Sequence, residues 1–120
     1  MSEVRDPASD QPLPTPGKEY VQEYMIRELN DDMGMDDELR DAIIRSIEAR
    51  RELGISKYGV PLQTYNGRDT LIDALDEALD CLTYLTQLEM EDGDTGSLLE
   101  AARSIVIRLT KRRMWRGDKI

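Results

Sequence analysis

Five carboxylates fall on one face of a predicted helix in the middle of the sequence, and these residues are the best suited to chemistry. At about 100° per residue they occupy roughly a third of the helix circumference, and Tyr84 continues the same face: Asp69, Asp73, Asp76, Glu77 and Asp80. No Lys or Arg occurs between Asp69 and Ala102, although exposed helices usually mix charges of both signs so that neighbours attract. The acidic face is therefore either an ordinary solvated surface or a surface that binds a cation.

A second pair of carboxylates lies in the preceding predicted helix. Glu48 and Glu52 are four residues apart and share a face with Arg45. The two glutamates repel each other unless Arg45 or a bound cation lies between them. Spacings of three and four residues align two side chains on one helical face. Glu48 and Glu52 on one helix, with Glu77 and Asp80 on the next, could therefore converge on one or two divalent ions.

The composition limits the metals and partners that the chain can bind. With no His and a single cysteine, Cys81, soft-metal sites such as zinc are nearly excluded, and an oxygen-binding ion, Mg²⁺ or Mn²⁺, is favoured. The net charge of -9 argues against a general nucleic-acid-binding or anionic-membrane surface. The sequence has no membrane-spanning stretch or export signal, and the single cysteine cannot form an internal disulfide, so a cytoplasmic location is expected.

Hydrophobic residues recur at helical spacing in four stretches, and no alternating strand pattern is present. The predicted helices cover residues 18–30, 36 or 37 to 53, 70–90 and 97–114. Gly54 is expected to end the second helix, and Asp69 is expected to cap the third. Four such helices, following one another as antiparallel neighbours, predict an all-α, four-helix bundle. In this architecture facing helices commonly carry carboxylate metal sites.

The same patterns predict the domain organisation and the core. Residues 1–17 contain four of the five prolines and are predicted to be a flexible N-terminal tail. Residues 18–116 are predicted to form a single helical domain, and residues 117–120 a C-terminal tail. The side chains predicted to face the core are Leu39, Ile43, Ile47 and Leu53 in the second helix, Leu71, Ile72, Leu75, Leu79 and Leu82 in the third, and Leu98, Ala102, Ile105, Val106 and Leu109 in the fourth.

The connection at residues 54–69 is unusually long for a compact domain, and such connections are often functional. It contains donors and an aromatic ring suited to a phosphorylated, base-bearing ligand: Lys57, Tyr58, Asn66 and Arg68. The alternative is a surface loop in which these polar residues have no shared role.

At these positions the sequence resembles the MazG-like, all-α nucleoside triphosphate pyrophosphohydrolases, especially the short members typical of bacteriophages. The resemblance spans roughly Asp36 to Leu88. The family's Glu-x-x-Asp motif is complete as Glu77-Ala78-Leu79-Asp80, whereas its Glu-Glu-x-x-Glu motif lacks the middle glutamate in Glu48-Ala49-Arg50-Arg51-Glu52. Two further stretches look like those of phage members: Lys57-Tyr58-Gly59 and Asn66-Gly67-Arg68-Asp69.

The resemblance implies an all-α NTP pyrophosphatase fold and hydrolysis of a nucleoside triphosphate to the monophosphate and pyrophosphate. Mg²⁺ would orient the phosphates, neutralise developing charge and lower the pKa of the attacking water. It implies four metal ligands, Glu48, Glu52, Glu77 and Asp80, with Glu52 as the general base. Phosphate contacts are expected from Lys57 and Arg68, and base or sugar contacts from Tyr58 and Asn66.

The helical pattern also predicts self-association. The acidic face of the third helix lies opposite its apolar stripe, so a metal there needs a second surface to enclose it. A partner subunit or the loop that curls back over the helix would supply that surface, and a homo-oligomer, a dimer or a tetramer, is expected.

Two other functions remain open at this point. Because Ala49 removes one expected ligand, the chain could instead be a non-catalytic helical oligomer that sequesters a nucleotide, such as a phage sponge for a signalling nucleotide. Alternatively, the acidic face could dock a basic partner, which would make the chain an interaction module.

Overall fold

The computed structural model describes residues 11–119, and every regular element in this part of the chain is an α-helix. The helices are α1 (Val21–Asn30), α2 (Asp37–Tyr58), α3 (Thr70–Asp92) and α4 (Leu98–Arg116). Within residues 11–119, β-type pairing is limited to one isolated antiparallel bridge, between Tyr20 and Gln63. The prediction of an all-α chain is confirmed. None of the helices in the described range is both long enough and apolar enough to cross a membrane.

The helices pair as two consecutive hairpins. Pro12–Arg68 form one compact unit, and Gln11 with residues 69–119 forms the other. In the first unit α1 packs on α2, and in the second α3 packs on α4. The predicted boundaries of tail and domain stay a prediction, and residues 1–10 and 120 lie outside the described residues.

Arg40 organises the turn between α1 and α2. Its side chain is only 14% exposed, and its guanidinium donates to the carbonyls of Leu29 and Met35, each at 3.0 Å. Its Nη1 also forms an ion pair with Asp37 Oδ1 at 2.7 Å. The last carbonyls of a helix have no partner within the helix, so this arginine satisfies the end of α1 and fixes its connection to α2.

The end of α2 differs from the prediction, because Gly54 lies inside the helix and does not end it. The helix continues to Tyr58, and Gly59 caps it with φ of 81° while its N–H donates to the carbonyl of Ile55 at 2.7 Å. A left-handed residue after the last turn satisfies a free carbonyl, and glycine adopts that conformation without strain. A glycine inside a helix costs only about 1 kcal/mol, so Gly54 is tolerated. The helix therefore includes the predicted loop residues Lys57 and Tyr58.

The start of α1 is three residues later than predicted. Lys18 donates its backbone N–H to the carbonyl of Thr64 at 3.0 Å, and Val21 donates to the carbonyl of Leu62 at 3.0 Å. These N–H groups pair with the connection between α2 and α3, so residues 18–20 lie outside the helix and α1 begins at Val21.

In the second unit, the beginning of α3 is joined to the end of α4. Asp69 caps α3 by accepting from the N–H of Ile72 at 3.3 Å, as predicted. The guanidinium of Arg116 contacts both carboxylate oxygens of Asp69, with Nη1 to Oδ1 at 3.0 Å and Nη2 to Oδ2 at 2.8 Å. Arg116 Nη2 is also 2.6 Å from Asp118 Oδ2. The two helices are therefore antiparallel, with a charged cluster at their open end.

The buried apolar set is smaller than predicted. Buried hydrophobic side chains in the described range are confined to Ile47, Ile72, Leu75, Leu99 and Ala102. Several side chains predicted to face the core are largely exposed: Leu39 (54%), Leu53 (57%), Leu79 (43%), Leu98 (54%) and Ile105 (52%). Each helix packs on a single partner within its unit, so only a narrow strip of each apolar face is covered.

The charged cluster at the open end of the α3–α4 hairpin lowers the pKa of two of its carboxyl groups. The hydrogen bond from Arg116 is the main reason that the pKa of Asp69 lies below its usual range. The same arginine, with help from Arg113, lowers the pKa of Asp118. An acid whose pKa is lower in the folded chain stabilises the fold above its unfolded pKa, about 3.9 for Asp. That stabilisation is lost as the pH falls through the folded pKa.

We expect the melting temperature to fall between about pH 5 and pH 2 by less in Asp69→Asn than in the wild type. Asparagine still caps a helix, so the substitution removes the titrating charge while keeping the cap. The matched control is Asp36→Asn, which changes the cap of α2. The Asp36 carboxylate has no ion pair among residues 11–119. Equal pH dependence in Asp69→Asn and the wild type would contradict the assignment.

Candidate functional site

The four predicted metal ligands form two exposed pairs, one on each of two helices. Glu48 and Glu52 lie one turn apart on α2, and Glu77 and Asp80 lie one turn apart on α3. All four side chains are exposed. The pairs belong to different compact units, and each pair supplies two carboxylates.

The four carboxylates differ in their neighbours. Arg51 Nη1 lies 3.4 Å from Glu52 Oε1, and Arg51 Nε lies 2.5 Å from Glu23 Oε1 on α1. Within residues 11–119, Glu48, Glu77 and Asp80 have no side-chain hydrogen bond or ion pair. Three of the four are therefore available to a cation, whereas Glu52, which is 70% exposed, already shares a guanidinium.

On the acidic face of α3, two carboxylates near its N-terminus have identified partners. Asp69 is paired with Arg116, and Asp73 Oδ1 accepts from Gln11 Nε2 at 3.2 Å. The cation that the sequence lacks near Asp69 is therefore supplied by α4, which follows later in the chain. Glu77 and Asp80, one turn further along, are the members that match the Glu-x-x-Asp pattern, and they have no such partner in the described range.

The donor chemistry suits a hard divalent ion. No group of three or more His, Cys, Asp or Glu residues among residues 11–119 has an arrangement that could hold a metal. Magnesium, however, is commonly bound through one or two carboxylates together with water and substrate phosphates. A pair of exposed carboxylates on one helical face meets that requirement. Either pair thus fits Mg²⁺ or Mn²⁺ as a partial site that a phosphorylated ligand would complete.

Two predicted nucleotide contacts lie in the last turn of α2, not in a loop. The Nζ of Lys57 is 5.1 Å from the centre of the Tyr58 ring, within the range of a cation–π interaction. Tyr58 is 41% exposed, and Lys57 is exposed as well. An ammonium beside an accessible aromatic ring at a helix end can contact a phosphate and a planar base together.

The other two predicted contacts lie in the connection between α2 and α3. Asn66 is only 6% exposed, and its Oδ1 accepts from the backbone N–H of Arg68 at 3.2 Å. Its carbonyl accepts from both the N–H and the Oγ1 of Thr15, each at 2.9 Å. Arg68 Nη1 donates to the carbonyl of Pro12 at 2.8 Å. In this conformation Asn66 stabilises the turn, and Arg68 contacts the N-terminal segment.

Several residues that contact the α2–α3 connection were not among the site residues predicted from the sequence. Thr15, Gly17 and Lys18 all contact the connection, and Lys18 Nζ lies 4.7 Å from the centre of the Tyr65 ring. Tyr65 is 80% exposed and has φ of 52°, a value that non-glycine residues adopt rarely and often near functional sites. The signal in the sequence was the spacing of Pro12, Pro14 and Pro16 before Gly17, because closely spaced prolines favour extended backbone.

Comparison of the chain with family models gave no match, and neither the curated proteins nor the solved structures contained a significant match.

Proposed function

We propose that this protein is a metal-dependent nucleotide pyrophosphohydrolase that cleaves a (d)NTP to the (d)NMP and pyrophosphate. The observation that carries the proposal is the pair Glu77 and Asp80. Both are exposed, both lie on one face of α3, and neither has a cationic partner among residues 11–119. Two unpaired carboxylates at that spacing suit a divalent cation. The resemblance to MazG-like enzymes supports the same function.

Each group in the proposed reaction has a role that its chemistry allows. The water oxygen forms a bond to one phosphorus of the α–β anhydride, the bond from that phosphorus to the bridging oxygen breaks, and the bridging oxygen leaves with the other product. Glu52 accepts the proton that the water loses. Lys57 and Arg68 bind phosphate oxygens, and Tyr58 contacts the base. Glu77 and Asp80 are one proposed pair of metal ligands, and Glu48 and Glu52 are the other. A bound Mg²⁺ or Mn²⁺ supplies neutralisation of phosphate charge and activation of water.

The proposal includes the all-α NTP pyrophosphatase fold and self-association as a dimer or tetramer. The proposed location is the cytoplasm, which is the host cytoplasm if the chain is phage-encoded. Its support is the exposed apolar surface on the second half of α3. Tyr84 is 68% exposed and Leu88 is 40% exposed. They border a shallow depression of about 500 Å³ lined by α3 alone: Cys81, Tyr84, Leu85, Gln87, Leu88 and Glu91. Exposed apolar stripes of this kind are typical of surfaces that another chain covers.

The test is incubation of the protein with a panel of nucleoside triphosphates and MgCl₂, followed by chromatography of the products and of ligand recovered from the protein. Formation of monophosphate and pyrophosphate in equal amounts is the expected result. A reaction without added protein and one with excess EDTA are the controls. Absence of both product and bound nucleotide across the panel would refute the proposal and favour an interaction module.

Sequestration of a nucleotide is the second candidate, and two observations favour it. Ala49 stands where the family motif has a carboxylate, and Arg51 lies 3.4 Å from Glu52, the proposed base. A carboxylate oxygen that contacts a guanidinium is already engaged and is less free to contact an attacking water. Recovery of intact nucleotide from the protein, without monophosphate or pyrophosphate, would select this function.

A further inference from the structure

We propose that residues 12–20, which we term the strap, act as a gate over residues 62–68, the part of the α2–α3 connection that carries Asn66 and Arg68. In the structure the strap is closed. Its opening would expose both residues, and a phosphate-bearing ligand would bind the open form. The identity of that ligand class rests on the proposed function, whereas the gating rests on the contacts of the strap.

The strap and the connection pair along most of their length. Thr15, Lys18 and Val21 donate backbone N–H groups to the carbonyls of Asn66, Thr64 and Leu62 at 2.9–3.0 Å, and Thr64 donates back to the carbonyl of Glu19 at 2.8 Å. The direction is antiparallel, because donors later in the strap meet acceptors earlier in the connection. This pairing resembles a short two-stranded ribbon, with Tyr20 and Gln63 as its one formal bridge.

Gly17 is the position that permits the close approach. A Cβ built at Gly17 would lie 1.7 Å from the carbonyl oxygen of Thr64 and 2.8 Å from its carbonyl carbon. These are backbone atoms, so no side-chain rotation relieves the clash. Any residue other than glycine must separate the strap from the connection at this point. The N–H of Gly17 also donates to Gln63 Oε1 at 3.0 Å, a bond that would be lost with the separation.

The closed strap restricts access to the two residues that the sequence assigns to ligand binding. Its Thr15 accounts for both hydrogen bonds to the carbonyl of Asn66, a residue left 6% exposed. Its Pro12 carbonyl accepts from Arg68 Nη1 at 2.8 Å. Since a phosphate oxygen would accept from the same guanidinium, ligand and strap compete for Arg68.

The strap has few apolar contacts to hold it closed. Leu13 is 72% exposed, and Pro12, Pro16 and Lys18 are also exposed. Segments attached by surface hydrogen bonds with little apolar burial open at low free-energy cost. The strap is therefore stable enough to be ordered and weak enough for a ligand to displace.

The experiment measures the reactivity of Arg68 towards phenylglyoxal by peptide mass spectrometry, in the full-length chain and without nucleotide. Gly17→Ala is expected to raise the modification rate of Arg68 by about threefold or more, because the open population increases. The matched control is Gly54→Ala, whose new Cβ meets no atom within 4 Å. Arg112 on the exposed face of α4 serves as the internal reference and should react equally in every variant.

A milder variant tests the gate even if Gly17→Ala fails to fold. Thr15→Val removes the hydroxyl that donates to the Asn66 carbonyl and keeps the side-chain volume, so it should raise Arg68 reactivity in the same direction by a smaller factor. Circular dichroism spectra that match the wild type would show that both variants keep their helices. Unchanged Arg68 reactivity in both variants would overturn the gate.

Measurements with nucleotide test the gate and the proposed function independently of each other. With dATP and MgCl₂, we expect tighter binding by Gly17→Ala than by the wild type, and protection of Arg68 from phenylglyoxal. Increased Arg68 reactivity together with no dATP binding by either chain would support the gate and count against nucleotide as the ligand. Increased reactivity with weaker dATP binding would overturn the gate, because the strap would then shape the connection for the ligand.

Discussion

Glu77→Gln and Asp80→Asn are each expected to abolish nucleotide turnover, or metal-dependent nucleotide binding if the protein sequesters its ligand. Each substitution removes one of two carboxylates that share an exposed face of α3. Loss of an outer-shell partner alone typically costs 10- to 100-fold in metal affinity or activity, so loss of a ligand should cost about 100-fold or more. The measurements are product formation with MgCl₂ and nucleotide binding by the same variants.

Thermal melts distinguish a metal ligand from a structural carboxylate. Because Glu77 and Asp80 lie one turn apart on α3, their mutual repulsion destabilises the metal-free fold. Neutral variants should therefore melt at the wild-type temperature or slightly above it. If Mg²⁺ is the ligand of this pair and binds the folded chain alone, it should raise the wild-type melting temperature in a concentration-dependent way. A hydrogen-bonded structural carboxylate behaves differently, because its removal leaves a partner unsatisfied at a cost of about 1–3 kcal/mol.

Asp92→Asn is the matched control, since it makes the same charge change at the end of the same helix. It should leave turnover and the response to Mg²⁺ unaltered. Lower metal-free stability of Glu77→Gln and Asp80→Asn, combined with undiminished activity, would show that the pair is part of the scaffold. The enzymatic proposal would then have to be abandoned.

Leu99→Ala is expected to destabilise the protein by about 2–5 kcal/mol. Leu99 is 5% exposed and lies on α4, the helix that packs on α3, and Ala102, three residues later, is buried as well. Truncation removes buried methyl groups and leaves a cavity that the small core can fill only by rearrangement. The free energy of unfolding, measured in urea or guanidinium, provides the test.

The neighbouring residue is a matched control for the same chemical change. Leu98 is 54% exposed, and we expect Leu98→Ala to cost about 1 kcal/mol or less. The hydrophobic pattern had assigned Leu98 to the core, so the two variants compare the sequence prediction with the structure. A larger loss of stability for Leu98→Ala than for Leu99→Ala would mean that the face of α4 has been assigned wrongly.

Local sequence determined the helices and most of their ends. Asp69 was expected to cap α3, and the start of α2 was expected at Asp36 or Asp37. The side chains of Asp69 and Asp36 each accept a backbone hydrogen bond at the start of their helix. Caps of this kind act within three or four residues, so the sequence is sufficient to predict them. The exposed, one-turn spacing of Glu77 and Asp80 was predictable for the same reason, because it depends only on helix periodicity.

Tertiary structure decided which parts of each predicted helix face became buried and which residues pair with the N-terminal strap. The choice between Leu98 and Leu99, and between Gly54 and Gly59 as the end of α2, depends on packing and capping partners that periodicity does not specify. The pairing of Arg116 with Asp69, and of Gly17 with Thr64, joins residues more than 40 positions apart. Such contacts depend on where the folded backbone brings distant groups together, so the local sequence around each residue does not predict its partner.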